Sequence, residues 1–132
     1  MITVVIDISP TGETGITINI NQQGVQMVTV PILDNQAVPV VLYQYKCSDY
    51  PYTSVIYSVE RGTARDIYNS QKVTDGVTVV GGQNKNSVGT SGVTITQQVA
   101  LVGGVPFVQI LYTSTALGFG GTFKYGFVNQ WK

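Results

Sequence analysis

Histidine is absent from this 132-residue chain, cysteine occurs once, and Lys, Arg, Asp and Glu together supply only 11% of it. Without histidine there is no Ser-His-Asp or Cys-His catalysis, and the commonest catalytic zinc sites go with it. With Cys47 alone, no disulfide forms within the chain. Its neighbour Lys46 leaves a reactive thiol open as a reading, but an inert buried cysteine is the expectation. The seven acids, Asp7, Glu13, Asp34, Asp49, Glu60, Asp66 and Asp75, stand singly, so no calcium loop with oxygens at alternate positions is present. Glu60 and Asp66 could meet across a turn and Asp49 lies among tyrosines, but no spacing selects a carboxylate pair for glycoside hydrolysis. The sequence thus predicts no catalytic residues, no metal, no cofactor and no enzyme.

The seven basic residues are scattered between Lys46 and Lys132, which argues against nucleic acid as a partner. Arg61 and Arg65 come nearest to a patch. Flanking a turn beside Glu60 and Asp66, they predict a local ion-pair cluster. No run approaches the roughly eighteen apolar residues of a membrane helix. The opening "MITVVIDIS" lacks the basic head and cleavage site of a signal peptide, and no Asn-x-Ser/Thr sequon occurs. Two expectations follow: a leader was removed, or the protein assembles inside a cell and leaves as part of a particle. Either places it on a virion or at an extracellular surface.

What the chain has instead is neutral polarity. Thr, Ser, Asn, Gln and eight Tyr accompany a 43% apolar share and a formal net charge of zero. Such surfaces pack closely without counter-ions, and near-zero net charge favours association. Period-two alternation runs through residues 1–132, which are expected to form a single domain. Ile2, Val4, Ile6 and Ile8 share one strand face, and after "SPTGETG", punctuated by Pro10, Gly12 and Gly15, so do Ile16, Ile18 and Ile20. Val25 to Leu33 changes phase between Met27 and Val28, as a bulge would, and Pro31 marks an edge or a strand end. Val38 to Lys46, with Val41, Tyr43 and Tyr45 on one side, and Thr53 to Glu60, with Val55, Tyr57 and Val59, come next. Later strands are expected at 76–81, 92–101, 106–113 and 122–131. Gly62 to Lys72 is the one candidate for a helical turn, and Gly81 to Gly92 is expected to be an exposed polar loop. Eight or nine short strands predict an all-β, antiparallel β-sandwich. The Cys…Trp…Cys spacing of immunoglobulin domains is missing, which favours a jelly roll over an Ig-like sandwich.

Two stretches concentrate the aromatic residues. In "GFGGTFKYGFVNQW" the glycines lead into a strand instead of a helix, so this is no phosphate loop. Phe123, Tyr125, Phe127 and Trp131 fall on one face of that strand, predicting a central core element, and Gly126 allows a bend or a close backbone approach. In "YQYKCSDYPYTSVIY", Tyr43, Tyr45 and Tyr57 are either half-buried core or contact residues. Tyr50 and Tyr52, in the loop around Pro51, are the foremost candidates for an interface or a ligand.

The strand "MITVVIDI", the Thr/Asn/Gln-rich strands and the glycine-separated β run give the whole chain a likeness. In general look it resembles the small single jelly-roll capsid and spike proteins of viruses. That resemblance implies a structural subunit of capsid, spike or penton type, packed against copies of itself or a major capsid protein. A second expectation is an extracellular carbohydrate-binding or adhesive module with the tyrosine loop as its platform and a glycan as its partner. The first strand, with Asp7 as its one charge, and the Val25–Leu33 strand are the edges expected to pair with a neighbouring subunit.

Overall fold

A computed structural model describes residues 25–132 in full and the backbone of two further strands, β1 (Ile2–Ile8) and β2 (Ile16–Gln22). These two pair antiparallel with each other, Val4 opposite Ile20, Ile6 opposite Ile18 and Ile8 opposite Ile16. The apolar alternations of the two strands are therefore in phase. The expected turn at "SPTGETG" lies outside the described residues.

Nine further strands form an antiparallel β-sandwich. They are β3 (Val28–Ile32), β4 (Val40–Lys46), β5 (Tyr52–Arg61), β6 (Ala64–Thr74), β7 (Val79–Val80), β8 (Gln83–Val88), β9 (Val93–Val102), β10 (Val105–Ser114) and β11 (Gly121–Trp131). The larger sheet has the order β3-β11-β5-β6, with β7 and β8 both pairing β6, and the smaller one is β4-β10-β9. Between them lie Ile32, Leu42, Tyr43, Val55, Tyr57, Val59, Val108, Ile110, Tyr112 and Phe123, all buried. Burying each such side chain contributes about 1.5–3 kcal/mol, so the alternating inward residues fix the register of every strand.

The structure departs from the sequence expectations at four elements. The segment 62–72, expected to be a helical turn, is instead a tight hairpin turn at Gly62 and Thr63, where Gly62 takes φ 61°, followed by β6 from Ala64 onward. The inward residues of β6 are Ala64, Asp66, Tyr68, Ser70, Lys72 and Thr74, four of them polar or charged, so hydrophobic alternation is invisible there. The expected loop at 81–92 contains β8, whose polar side chains sit at the exposed margin of the larger sheet and carry no apolar period. Val25–Met27 are not part of a strand; the phase change marks where β3 begins, and no bulge is involved. In β4 the register shifts opposite Ile110/Leu111, so Leu42 joins Tyr43 in the interior and Val41 is left exposed.

Candidate interaction surface

The tyrosines of the 43–57 stretch divide sharply. Tyr43 and Tyr45 point inward from β4 and are buried, so they are core residues and not contact residues. Tyr43 stacks on Tyr125 at 4.2 Å between centroids and meets Phe127 edge-on, joining the two sheets. Burial pushes its hydroxyl well above the usual tyrosine range. Tyr45 meets Phe127 edge-on and shares a 3.1 Å hydrogen bond with the buried Thr53 hydroxyl. Tyr57, likewise interior, stacks on Tyr68 at 4.8 Å. Cys47 is buried, as an inert thiol would be, with the Thr74 hydroxyl 3.7 Å from its sulfur.

Tyr50 and Tyr52 are both exposed, Tyr50 in the turn before β5 and Tyr52 at its first position. Tyr52 stacks against Trp131, centroids 5.6 Å apart and planes 15° from parallel. Trp131 was expected to lie in the core with Phe123, Tyr125 and Phe127. Phe123 is buried and Tyr125 and Phe127 pack against the core, but the β11 register shifts between Phe127 and Asn129. That extra residue at Val128 reverses the alternation, so Gln130 pairs Thr53 and Trp131 turns outward, 45% exposed.

The consequence is a row of exposed apolar side chains across four strands. Trp131 pairs Tyr52, Tyr52 pairs Val73, and Val73 pairs Val80. Cross-strand neighbours stand about 5 Å apart, so the four form one continuous apolar ledge at one end of the larger sheet. Tyr50 projects from the adjoining turn, whose backbone is tied to the sheet by Thr74 N donating to Pro51 O.

The outer face of the smaller sheet has a different character. Gln98, Gln109 and Gln44 lie side by side on β9, β10 and β4. The amide of Gln98 donates to Gln109 at 2.9 Å, and that of Gln109 donates to Gln44 at 3.0 Å. Lys46 is the single charge in the three strands. This face presents hydrogen-bonding groups with almost no net field.

Charge is used inside instead. The Arg61 side chain is fully buried and spends its donors on four acceptors: Asp34 Oδ1 at 2.5 Å, and the carbonyls of Ser91, Thr115 and Phe119 at 3.0, 2.6 and 3.1 Å. Asp34 also accepts from the amides of Leu117 and Gly118. Those amides, Leu117's foremost, and the guanidinium hold its carboxyl below the usual value against the opposing effect of desolvation. Three loops at one end of the sandwich are thus tied to one side chain. The expected ion-pair cluster is real only in part: Arg65 meets Glu60 at the surface at 3.5 Å, whereas Arg61 belongs to this interior knot. Asp66 faces inward and accepts from the Ser91 hydroxyl at 2.6 Å, on the opposite side of the sheet from Glu60, so the two carboxylates do not converge. Lys72 is buried with neutral partners, donating to Ser70 Oγ at 2.9 Å and Gln97 Oε1 at 2.5 Å, and burial lowers its amine to about 8. Sequence patterning missed Arg61 and Lys72; the inward parity of Arg61 could have been read by extending the Val55, Tyr57, Val59 alternation of β5, whereas β6 offers no such signal for Lys72.

Among the described residues no three of His, Cys, Asp and Glu gather as a metal site, and no helix is long and apolar enough to cross a membrane. No family model matches the sequence, and no curated protein matches it either.

Proposed function

We propose that this protein is a structural assembly subunit, of the kind that builds virion shells, spikes or pentons, packing against copies of itself or against a major capsid protein. The observation that carries this reading is the pair of outer surfaces just described: a sheet face of hydrogen-bonded amides with one charge in three strands, and an exposed apolar ledge on the other sheet. Surfaces of this kind are costly for a molecule that must stay apart from its neighbours and useful for one that must pack against them. The strand order also favours a jelly roll: β3 pairs β11 in one sheet while β4 pairs β10 in the other, so the two halves of the chain wind together as an antiparallel ribbon. The β5–β6 hairpin, held within one sheet, departs from the full pattern.

Light scattering behind size exclusion tests the reading. A subunit gives masses that are multiples of 14.2 kDa, growing with concentration. A chain that stays at 14.2 kDa at every concentration argues against self-assembly. One observation favours a second reading, a carbohydrate-binding module: the Tyr52–Trp131 stack is exposed, and flat aromatic surfaces suit sugar rings. Retention of the monomer on immobilised glycans, abolished in Tyr52→Ala and unaffected in Tyr43→Phe, would transfer the assignment to that module.

A further inference from the structure

A sheet edge offers unpaired backbone donors and acceptors, and folded proteins blunt such edges with prolines, charges, bulges or short strands. Three of the four edges here are blunted. β3 is five residues long and contains Pro31. β4 carries an irregular register and ends in Lys46. At the edge of the larger sheet beyond β6, β7 has two residues, and β8 is polar throughout its first five residues and includes Lys85. β9 has none of these protections. Its ten residues, "VTITQQVALV", include no charge, no proline and no glycine, and its pairing with β10 runs from Val93 to Val102 without a shift. Among the described strands its other side pairs with nothing.

We propose that β9 is the subunit contact: two copies pair β9 to β9, antiparallel about a two-fold axis through Gln98, joining their smaller sheets into one six-stranded sheet. This deepens the assembly reading and rests on it. The sequence of β9 is self-complementary in that register. An axis normal to the sheet requires paired residues to share a face, which sets Gln98 opposite the partner's Gln98, Thr96 opposite Ala100, and Thr94 opposite Val102. On the inner side Ile95 meets Leu101, which is otherwise 71% exposed at the strand end. The amide ladder Gln44–Gln109–Gln98 then continues into its own copy across the axis. Nine paired residues supply roughly nine backbone hydrogen bonds, comparable to the ten or so of a standard interface. With zero net charge and no charge in the strand, no repulsion opposes the approach.

The test uses the full chain and three exposed positions. Gln98→Cys places two thiols opposite each other, with Cα atoms about 4.5–5.5 Å apart in either kind of antiparallel pair, within disulfide range. Mild oxidation is expected to convert it to a covalent dimer, while Thr94→Cys, about 27 Å from its counterpart in this register, stays uncrosslinked. Unmodified protein, whose Cys47 is buried, is the control. Gln98→Lys, which sets like charges face to face, is expected to raise the dimer dissociation constant about tenfold or more, and Gln44→Lys, at the far end of the ladder, to leave it unchanged. Assemblies that persist unaltered in Gln98→Lys, with no Gln98→Cys dimer, overturn the β9 contact and leave the assembly reading standing. Loss of those assemblies on deleting Ile2–Ile8 would assign the contact to the first hairpin. A chain monomeric at every concentration overturns the β9 contact and self-assembly together.

Discussion

At the scale of single residues, the interior of this sandwich is held by two cations that the sequence does not advertise. Lys72 has neutral oxygens for partners, and its amine titrates at about 8 instead of the usual 10.5 because burial penalises the charged form. A group whose folded-state value is lowered binds its proton more weakly in the folded chain. Between pH 8 and 10.5 the unfolded chain therefore holds more protons, and stability rises with pH across that window. The gain expected over the window is about 3 kcal/mol. Urea melts of wild type and Lys72→Met from pH 7 to pH 10 check this: the wild type gains stability with pH, and the variant loses that slope. Arg61 is the reverse case, a buried cation that makes four hydrogen bonds, one of them to a carboxylate. Arg61→Met removes the guanidinium donor from the carbonyls of Ser91 and Phe119, leaves that of Thr115 with the Asn35 amide alone, and is expected to cost about 3 kcal/mol. Arg61→Lys recovers little of this, since one ammonium cannot span acceptors arranged around a planar fork. Denaturant midpoints of the three proteins decide it, and a loss under about 1 kcal/mol in Arg61→Met would remove Arg61 as the knot of the three loops.

At the scale of elements, β11 explains both what the sequence made legible and what it hid. Its aromatic alternation identified a core strand, and Phe123 is indeed fully buried, because alternation maps directly onto the two faces of a pleated sheet. The same rule placed Trp131 inside, and a single extra residue at Val128 overturned it, since one inserted residue flips every side chain beyond it. Bulges carry no reliable signature in one sequence. Hence Tyr52 was legible as a surface residue, while its partner Trp131 was not. Strands β6 and β8 were missed for a related reason: alternation of polar with polar gives no contrast, whichever way the side chains point. Gly126 was legible as a close approach, and its neighbour is now identified. Val25–Met27 pass over it, so that a Cβ there would lie 2.7 Å from the Gln26 carbonyl oxygen and 2.7 Å from Met27 Sδ. Backbone cannot yield as a flexible side chain can, so Gly126→Ala is expected to displace this segment and cost about 1–3 kcal/mol. Faster amide exchange along β3, which follows the displaced segment, with unchanged exchange in the smaller sheet, is the outcome that identifies the cause as local.

At the scale of the whole molecule, the distribution of charge makes a prediction independent of any single contact. Seven positive and seven negative charges cancel. Arg61 and Lys72 are withdrawn into the interior, and the smaller sheet retains Lys46 alone in its strands. Association through such surfaces depends on backbone hydrogen bonds and apolar burial, neither of which long-range Coulomb forces govern. Screening shortens the reach of charge from about 14 Å to about 4 Å between 0.05 and 0.5 M salt, which weakens assemblies held by ion pairs. For this protein the association constant is expected to change by less than about twofold across that range, because there is little interfacial charge to screen. The heat-capacity change on association is expected to be negative, as apolar burial requires. Sedimentation equilibrium in a salt series, with titration calorimetry at three temperatures, measures both. A tenfold weakening with salt would locate the contact at the charged margins, beside Glu60 and Arg65 or at Lys85, and away from β9 and the amide ladder.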